Sequence, residues 1–339
     1  MAGVKDVARL AGVSVATVSR VLNDSAAVTE PTRARVLAAV AELGYRPNAV
    51  ARSLRTDATR TIGLIIGDIL NPFFTELARA VEDEARTLGY SVVIGNADER
   101  PDRQDHYVRT LLEQRVDGLL LCPTAEITPL VRDMVAGGEP LVFLDRTLPG
   151  LEVPTVRADG AEAINELVGH LRTLGHRRLA FISGPALLST GRERTAAFVA
   201  ALGEHGLAVR EDYLEAGDFQ AASGRASAAR LLDLGEPPEV IVAGDNLMAL
   251  GALDEIRARG LRIPADVGLA SYDDLPWFTH LDPPLTAIAQ PVQALGRRSV
   301  RALIERVAGQ DVGSVVLSAR LVVRRSCGEP PFKEGSGPA

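Results

Sequence analysis

The chain reads as an α/β protein with a small helical headpiece, a short hinge and a large core of parallel sheets. Three observations carry this reading. Two short apolar-periodic helices flank a glycine turn near the N-terminus. From Thr61 onward, short apolar runs alternate with helical patterns, as successive strand–helix units of a parallel sheet require. At 339 residues and 46% apolar, the chain can bury the cores of two or three compact domains.

The segment VKDVARLAGVSVATVSRVLN predicts helices over residues 4–11 and 15–22. Gly12 supplies the permissive backbone of the turn, and Ser14 is placed to N-cap the second helix. Val7, Leu10, Val18 and Val21 are expected to form a small shared core. The second helix then presents Val15, Ala16, Thr17 and Arg20 outward. Small side chains at its start permit close approach to a major groove, where Arg20 reaches guanine O6 and N7 or a phosphate. A plain three-helix unit with a solvated Arg20 is the alternative, but turn, cap and basic projection agree in register. Thr29 is expected to cap a third helix, with Pro31 in its first turn, Val36, Val40 and Leu43 on one face, and Gly44 ending it. The headpiece spans residues 1–46.

The stretch PNAVARSLRT, residues 47–56, predicts a helix of about two turns capped by Asn48 and carrying Arg52, Leu54 and Arg55. A helix that short needs a partner to form in water. Two copies packed on DNA would supply one, with Leu54 as a wedge between base steps of the minor groove. A linker whose Leu54 packs on the next domain is the alternative. The hinge and linker run over 47–60.

In the core, strands are predicted at 61–67, 90–95, 118–121 and 140–145, then at 178–184, 239–245 and 266–273. Helices begin near Asn71, Asp102, Gly160, Gly191, Asn246 and Pro291. The two series imply two α/β units of similar architecture. In ILNPFFTEL, Asn71 is the N-cap and Pro72 the first helical residue.

Charge is unevenly distributed. Residues 1–60 hold 9 Lys plus Arg against 5 Asp plus Glu, a balance of +4, so the remaining chain carries −11 of the net −7. Phosphate attraction falls where the helix-turn-helix is, and the acidic body opposes non-specific nucleic-acid contact. Cys122 and Cys327 and the five histidines show no metal-ligand spacing, and no run is apolar enough for a membrane span. A soluble cytoplasmic protein without metal, cofactor or structural disulfide is expected.

Together these residues resemble the lactose/galactose-repressor (LacI/GalR) family of transcription factors. The resemblance runs through VKDVARLAGVSVATVSRVLN, PNAVARSL, NPFF at 71–74, GH at 175–176, MALGAL at 248–253 and YDD at 272–274, and covers nearly the whole chain to about Cys327. It implies a two-lobed, periplasmic-binding-protein-like core over 61–327, with crossovers near Asp159, Ala287 and Ser318. One lobe would take about 61–158 and 288–317, the other about 159–287 and 318–327. It further implies a homodimer on a pseudo-palindromic operator with a central CG step, controlled by a small effector bound between the lobes. Tetramers of the lactose-repressor branch use a C-terminal leucine-heptad tail; GEPPFKEGSGPA at 328–339 cannot form one and is expected to be disordered.

Ligands in such sheets bind at strand carboxyl ends. One of Phe73 and Phe74 is expected to face the cleft while the other packs. The resemblance implies that Arg194 and Asp273 bond effector hydroxyl or amide groups, the alternative being an ion pair within the domain. Asp159, Thr190, Phe219 and Asp245 join them on the same argument. Trp277 could add an aromatic wall or pack in the core. Where the purine-repressor branch has a ligand-contacting arginine ahead of its Thr-Gly, this chain has Leu188, which disfavours a purine. Asp245 and Asn246 invert a frequent Asn-Asp pair, and with it the donor and acceptor preference of that wall. A carbohydrate or related polyol is the expected effector, with a nucleoside or another metabolite as the alternative.

An enzyme is not expected. Asp273 and Asp274 are adjacent carboxylates, but neighbours in a strand point to opposite faces, and no phosphate loop, nucleophile elbow or metal cluster occurs. A transport-type sugar-binding protein would leave the headpiece unexplained and lacks a secretory segment.

Overall fold

The computed structural model describes residues 2–22, 27–45 and 58–329; Asn48, Arg52 and Leu54 lie outside the described residues. The chain forms two compact units, Met1–Thr59 and Arg60–Ala339.

In the first unit, α1 (Val4–Ala11), α2 (Val15–Leu22) and α3 (Glu30–Glu42) enclose Val7, Ala8, Ala11, Val18, Val21, Val36 and Ala39. Gly12 takes a left-handed backbone (φ 63°) and closes α1. The Ser14 hydroxyl accepts from the Thr17 N–H at 3.1 Å, the cap that the sequence predicts. Thr29 stands at the N-cap of α3, yet its hydroxyl donates to Thr32 Oγ1 at 3.1 Å instead of capping an N–H. Leu10 departs from expectation: it is 46% exposed. At 100° per residue, Val7, Ala8 and Ala11 share one face of α1, and Leu10 falls about 110° from its centre.

The second unit begins with β1 (Thr61–Ile66), α4 (Pro72–Thr87), β2 (Ser91–Asn96), α5 (Pro101–Glu113), β3 (Gly118–Leu121), α6 (Pro129–Gly137), β4 (Leu141–Leu144) and β5 (Thr155–Asp159). The chain then passes to α7 (Ala161–Thr173), β6 (Leu179–Ser183), α8 (Ser189–Glu204), β7 (Leu214–Ala216), α9 (Ala221–Leu232), β8 (Val240–Ala243), α10 (Asn246–Ala258), β9 (Gly268–Tyr272) and β10 (Thr286–Ala289). It returns for α11 (Val292–Val307) and β11 (Val315–Ser318), and crosses once more into β12 (Arg320–Val322).

Two six-stranded sheets result, with orders β11-β5-β4-β3-β1-β2 and β12-β10-β9-β8-β6-β7. Every ladder is parallel except β10 with β12. Helices cover both faces of each sheet, so the central strands are apolar throughout rather than alternating. Leu64, Leu120 and Val142 pack under α4 and α11, while Ile65, Leu121 and Phe143 pack under α5 and α6. The second crossover falls past Ala287, because the Ala289–Arg320 pair keeps β10 in the second sheet to its end. α8 starts at Ser189, before Gly191, and the short strands β5, β7, β10, β11 and β12 are additions to the predicted set.

α9 and α10 approach closely because glycines meet backbone. A Cβ on Gly251 would lie 1.9 Å from the Ala221 carbonyl oxygen, and one on Gly224 would lie 2.2 Å from the Met248 oxygen. Gly251→Val should therefore lower stability by about 1 to 3 kcal/mol through forced overpacking. Gly137→Ala meets nothing within 4 Å and should leave the denaturant midpoint unchanged or raise it. Equal midpoints for the two variants would refute the close-approach account.

Candidate functional site

On the headpiece, Val15, Ala16 and Arg20 are exposed along α2 and Thr17 is half-buried, its hydroxyl 2.9 Å from Ser14 Oγ. The helix thus offers a solvent-facing row of small side chains ending in one guanidinium.

In the core unit, the carboxyl ends of both sheets face one cleft. It is lined by Phe73, Phe74, Thr190, Arg194, Phe219, Asp245 and Asp273 among the predicted residues. Asp68, Asn71, Glu99, Asp145, Arg146 and Gln220 complete the lining. Both Phe73 and Phe74 reach it, edge to face with centroids 5.1 Å apart. Two predicted residues do not line it. Asp159 lies in an adjoining cavity, where its carboxylate accepts from the Ala161 N–H at 2.9 Å. Trp277, in the short 3-10 turn Pro276–His280, is 37% exposed, packs edge-on against the buried Phe278 and is not among the lining residues.

Arg194 is buried, donates to the Gly244 carbonyl at 2.7 Å and lies 3.7 Å over the centre of the Tyr272 ring. Its guanidinium is positioned by a backbone oxygen and an aromatic face, not by an ion pair within the domain. Asp273 accepts from Gln290 Nε2 at 2.6 Å and from Asn246 Nδ2 at 3.3 Å. Asp245 N-caps α10, accepting from the Met248 N–H at 2.8 Å, so one carboxylate serves both helix and cleft. Asp274 turns the other way into a bidentate pair with Arg324, both oxygens at 2.8 Å. The divergence comes from the left-handed backbone of Asp273 (φ 67°), which ends β9.

Asp145 (φ 68°), Phe219 (φ 64°) and Glu99 (φ 54°) are left-handed as well. Non-glycine residues in this region carry strain that concentrates at functional sites. Small neighbours make room for them: a Cβ on Gly184 would fall 2.0 Å from the Phe219 ring, and one on Gly67 would fall 2.3 Å from Glu99. Glu99 and Arg146 form a bidentate pair at 2.6 and 2.8 Å, and the Arg146 guanidinium sits 5.7 Å from the Phe74 ring and 5.9 Å from that of Phe219. Sequence reasoning missed Asp145, although PLVFLD ends on it at a strand carboxyl end; Glu99 and Arg146 carry no such signal.

Hydrogen bonds join the two lobes across the cleft. Asn71 Nδ2 donates to Asp245 at 3.4 Å, Asn246 Nδ2 donates to Asn71 Oδ1 at 2.9 Å, and Gln220 Nε2 donates to Asp68 at 3.3 Å. The Thr147 N–H adds a bond to Ser189 Oγ at 3.1 Å. The cavity volume is about 20 Å³, room for little more than one water. A larger ligand requires the lining to move apart. Thr190 Oγ1 and Asn246 Oδ1 are buried without a partner, so polar valences remain for a guest. Among the described residues, no three His, Cys, Asp or Glu side chains are grouped to hold a metal, and no helix is long and apolar enough to cross a membrane.

A helix-turn-helix unit ahead of a two-sheet core with a polar cleft defines a bacterial DNA-binding regulator. Family models agree: that of the bacterial regulatory proteins of the lacI family matches residues 3–48, and that of periplasmic binding proteins and the sugar-binding domain of the LacI family matches residues 59–325. The chain belongs to the lacI family. It is 35% identical over 327 residues to the HTH-type transcriptional repressor CytR of Escherichia coli (strain K12), with 96% of each chain covered. It is 36% identical over 308 residues to the repressor PurR of Aliivibrio salmonicida (strain LFI1238), covering 91% of this chain and 92% of that one. Among solved structures, the lac repressor dimer bound to operator and the anti-inducer ONPF is 32% identical with a TM-score of 0.86, over 97% of this chain and 99% of that one. The regulator CelR in complex with cellobiose is 32% identical with a TM-score of 0.73, over 96% and 100%. These relatives are transcriptional regulators, and the chain is a DNA-binding regulator rather than an enzyme.

Burial pushes the Asp145 carboxyl up to about 6 and that of Asp245 up to about 7. A carboxyl whose folded pKa exceeds its unfolded value, near 4, stabilises the fold fully below pH 4 and loses that contribution as pH rises through 6 to 7. The unliganded protein should therefore lose stability between pH 5 and 8. Asp245→Asn keeps a good N-cap and removes the titration, so it should flatten this fall by on the order of a few kcal/mol. Denaturant midpoints at pH 5 and pH 8 check this; parallel losses in wild type and variant would contradict it.

Proposed function

We propose that the protein is a homodimeric transcriptional repressor of the cytoplasm whose two headpieces read a pseudo-palindromic operator and whose cleft binds a small polyhydroxy effector, a carbohydrate or related polyol. The headpiece takes residues 1–46, the hinge 47–60 and the effector core 61–327. One observation carries the effector reading: a narrow cleft in which the carboxylates of Asp68, Glu99, Asp145, Asp245 and Asp273 outnumber the guanidiniums of Arg146 and Arg194, leaving acceptors in excess of charged donors. A ligand rich in hydroxyl donors satisfies that imbalance, and Phe73, Phe74 and Phe219 supply apolar faces for ring C–H groups. The description of the matched core domain as sugar-binding, and cellobiose on the similar regulator CelR, support it. The same three rings favour a second reading, a nucleoside, whose base would stack while its ribose meets the carboxylates.

Effector binding must exchange bonds such as Asn71–Asp245 and Gln220–Asp68 for ligand contacts, and so biases the relation of the lobes that anchor the headpieces. The dimer reading is supported by the lac repressor dimer on its operator. A thermal-shift screen with sugars, polyols and nucleosides, repeated as an operator-binding assay on each hit, tests the effector class. A response confined to compounds without hydroxyl groups would reject the polyol reading.

Two variants separate the functions. Arg20→Ala should weaken specific operator binding by about 1 to 3 kcal/mol at matched salt while effector binding survives. Arg194→Ala or Asp273→Ala should abolish the effector response and leave operator binding of the unliganded protein intact. Unchanged effector affinity by calorimetry in both cleft variants would move the site elsewhere. Light scattering at micromolar concentration should give a mass near two chains.

A further inference from the structure

Glu99 and Arg146 form a charge pair inside the cleft whose presence stability alone does not explain. Arg146 follows β4 with its side chain 4% exposed, and both ends of its fork bond Glu99, at 2.6 and 2.8 Å. Its remaining N–H, on Nε, is buried without a hydrogen bond, 3.6 Å from the Asp145 carboxylate. The Phe74 and Phe219 rings, one from each lobe, stand 5.7 and 5.9 Å from the guanidinium. Backbone geometry delivers the carboxylate. Asp98 (φ 53°) and Glu99 (φ 54°) are both left-handed, so that Asp98 pairs on the surface with Arg103 at 2.6 Å while Glu99 lines the cleft. The Glu99 N–H donates to the Gly67 carbonyl at 3.0 Å, and the missing Cβ of Gly67 leaves the carboxylate its place.

A buried guanidinium fork is the group that a phosphate seeks. Here the fork is already filled. A buried ion pair gives little net stability over apolar residues of the same volume, so the fold gains little by keeping it. With Glu99 committed to Arg146, the carboxylates of Asp68, Asp145, Asp245 and Asp273 face a single further guanidinium, that of Arg194. We infer that Glu99 determines the charge of the effector: it withholds Arg146 from anionic groups, so that the cleft accepts an uncharged polyhydroxy compound and refuses the phosphate ester of the same compound. Glu99 does this through Arg146, as a positioning residue. The inference rests on the reading of the cleft as the effector site and adds to it the charge of the effector.

The test is calorimetry on the full-length protein with matched pairs: ribose and ribose 5-phosphate, glucose and glucose 6-phosphate, cytidine and cytidine 5′-monophosphate. In any pair whose neutral member binds wild type, the phosphate ester should bind about a hundred-fold or more weakly. Glu99→Gly suits the left-handed backbone and vacates the carboxylate's place, so it should remove that preference or reverse it. Inorganic phosphate should raise the melting temperature of this variant and not that of wild type, because it binds the bared guanidinium of the folded state. Adding Arg146→Met to Glu99→Gly should abolish both effects, which a general loosening of the cleft would leave in place. A phosphate ester that binds wild type as tightly as its neutral partner overturns the inference, even if Glu99→Gly does not fold. So does a preference unchanged in Glu99→Gly, or an equal phosphate effect on variant and wild type. Each of these leaves the effector reading standing. If no neutral compound binds wild type while phosphate stabilises Glu99→Gly alone, the masking of Arg146 holds and the polyol reading fails; with neither effect, both fail.

Discussion

The core unit is organised around charge held out of water. Asp145, Asp245 and Asp273 are buried in one cleft with Arg194, which a carbonyl and a tyrosine ring fix in place. Burying carboxylates in excess of cations opposes folding unless each finds donors. The surroundings answer that demand one residue at a time. Asp245 draws on the start of α10, Asp273 on the amides of Asn246 and Gln290, and Asp274 leaves the cleft altogether for Arg324. Asp145 is left with the Arg146 guanidinium at 3.6 Å. Left-handed backbone at Asp145, Phe219 and Asp273 is the conformational counterpart of this crowding.

The donors in the cleft contacts between the lobes are neutral amides, two of them bonded to carboxylates. Asn71, Gln220 and Asn246 each present an amide that serves as donor here and that a hydroxyl-bearing guest can engage equally well. Exchanging such bonds leaves no charge stranded only where the guest supplies hydroxyl donors to Asp245 and Asp68. Such a guest brings a liganded arrangement close in free energy to the ligand-free one.

Much of this was legible in the sequence where local chemistry and global fold agree. The Gly12 turn, the Ser14 cap and the alternation of apolar runs with helices identify the headpiece and the two sheets, because each element needs only its own residues to declare itself. The family resemblance, together with the carboxyl-end rule, points to Thr190, Arg194, Phe219, Asp245 and Asp273, which line the cleft, and to Asp159, which lies in the adjoining cavity instead. Other features were invisible for reasons of geometry. Leu10 has the spacing of a core residue but the wrong angle about its helix. Glu99 and Arg146 are 47 positions apart and meet only because both follow strands of one sheet. Strands of three to five residues at edges and crossovers carry too little periodicity to separate from loops.

The order of the strands has a consequence for the birth of the protein. The headpiece is contiguous, so its core is complete once α3 has been made. The first lobe is not: after β5 it waits for α11, which covers β3 and β4, and for β11, which closes its edge. At about 5 to 20 residues per second, that gap lasts roughly 8 to 30 s on the ribosome. During it, one face of a parallel sheet stands without its helix and an edge without its strand, the exposures that chaperones bind and that drive aggregation when they are scarce. A protein that will later search DNA must therefore first survive a delay set by its own topology.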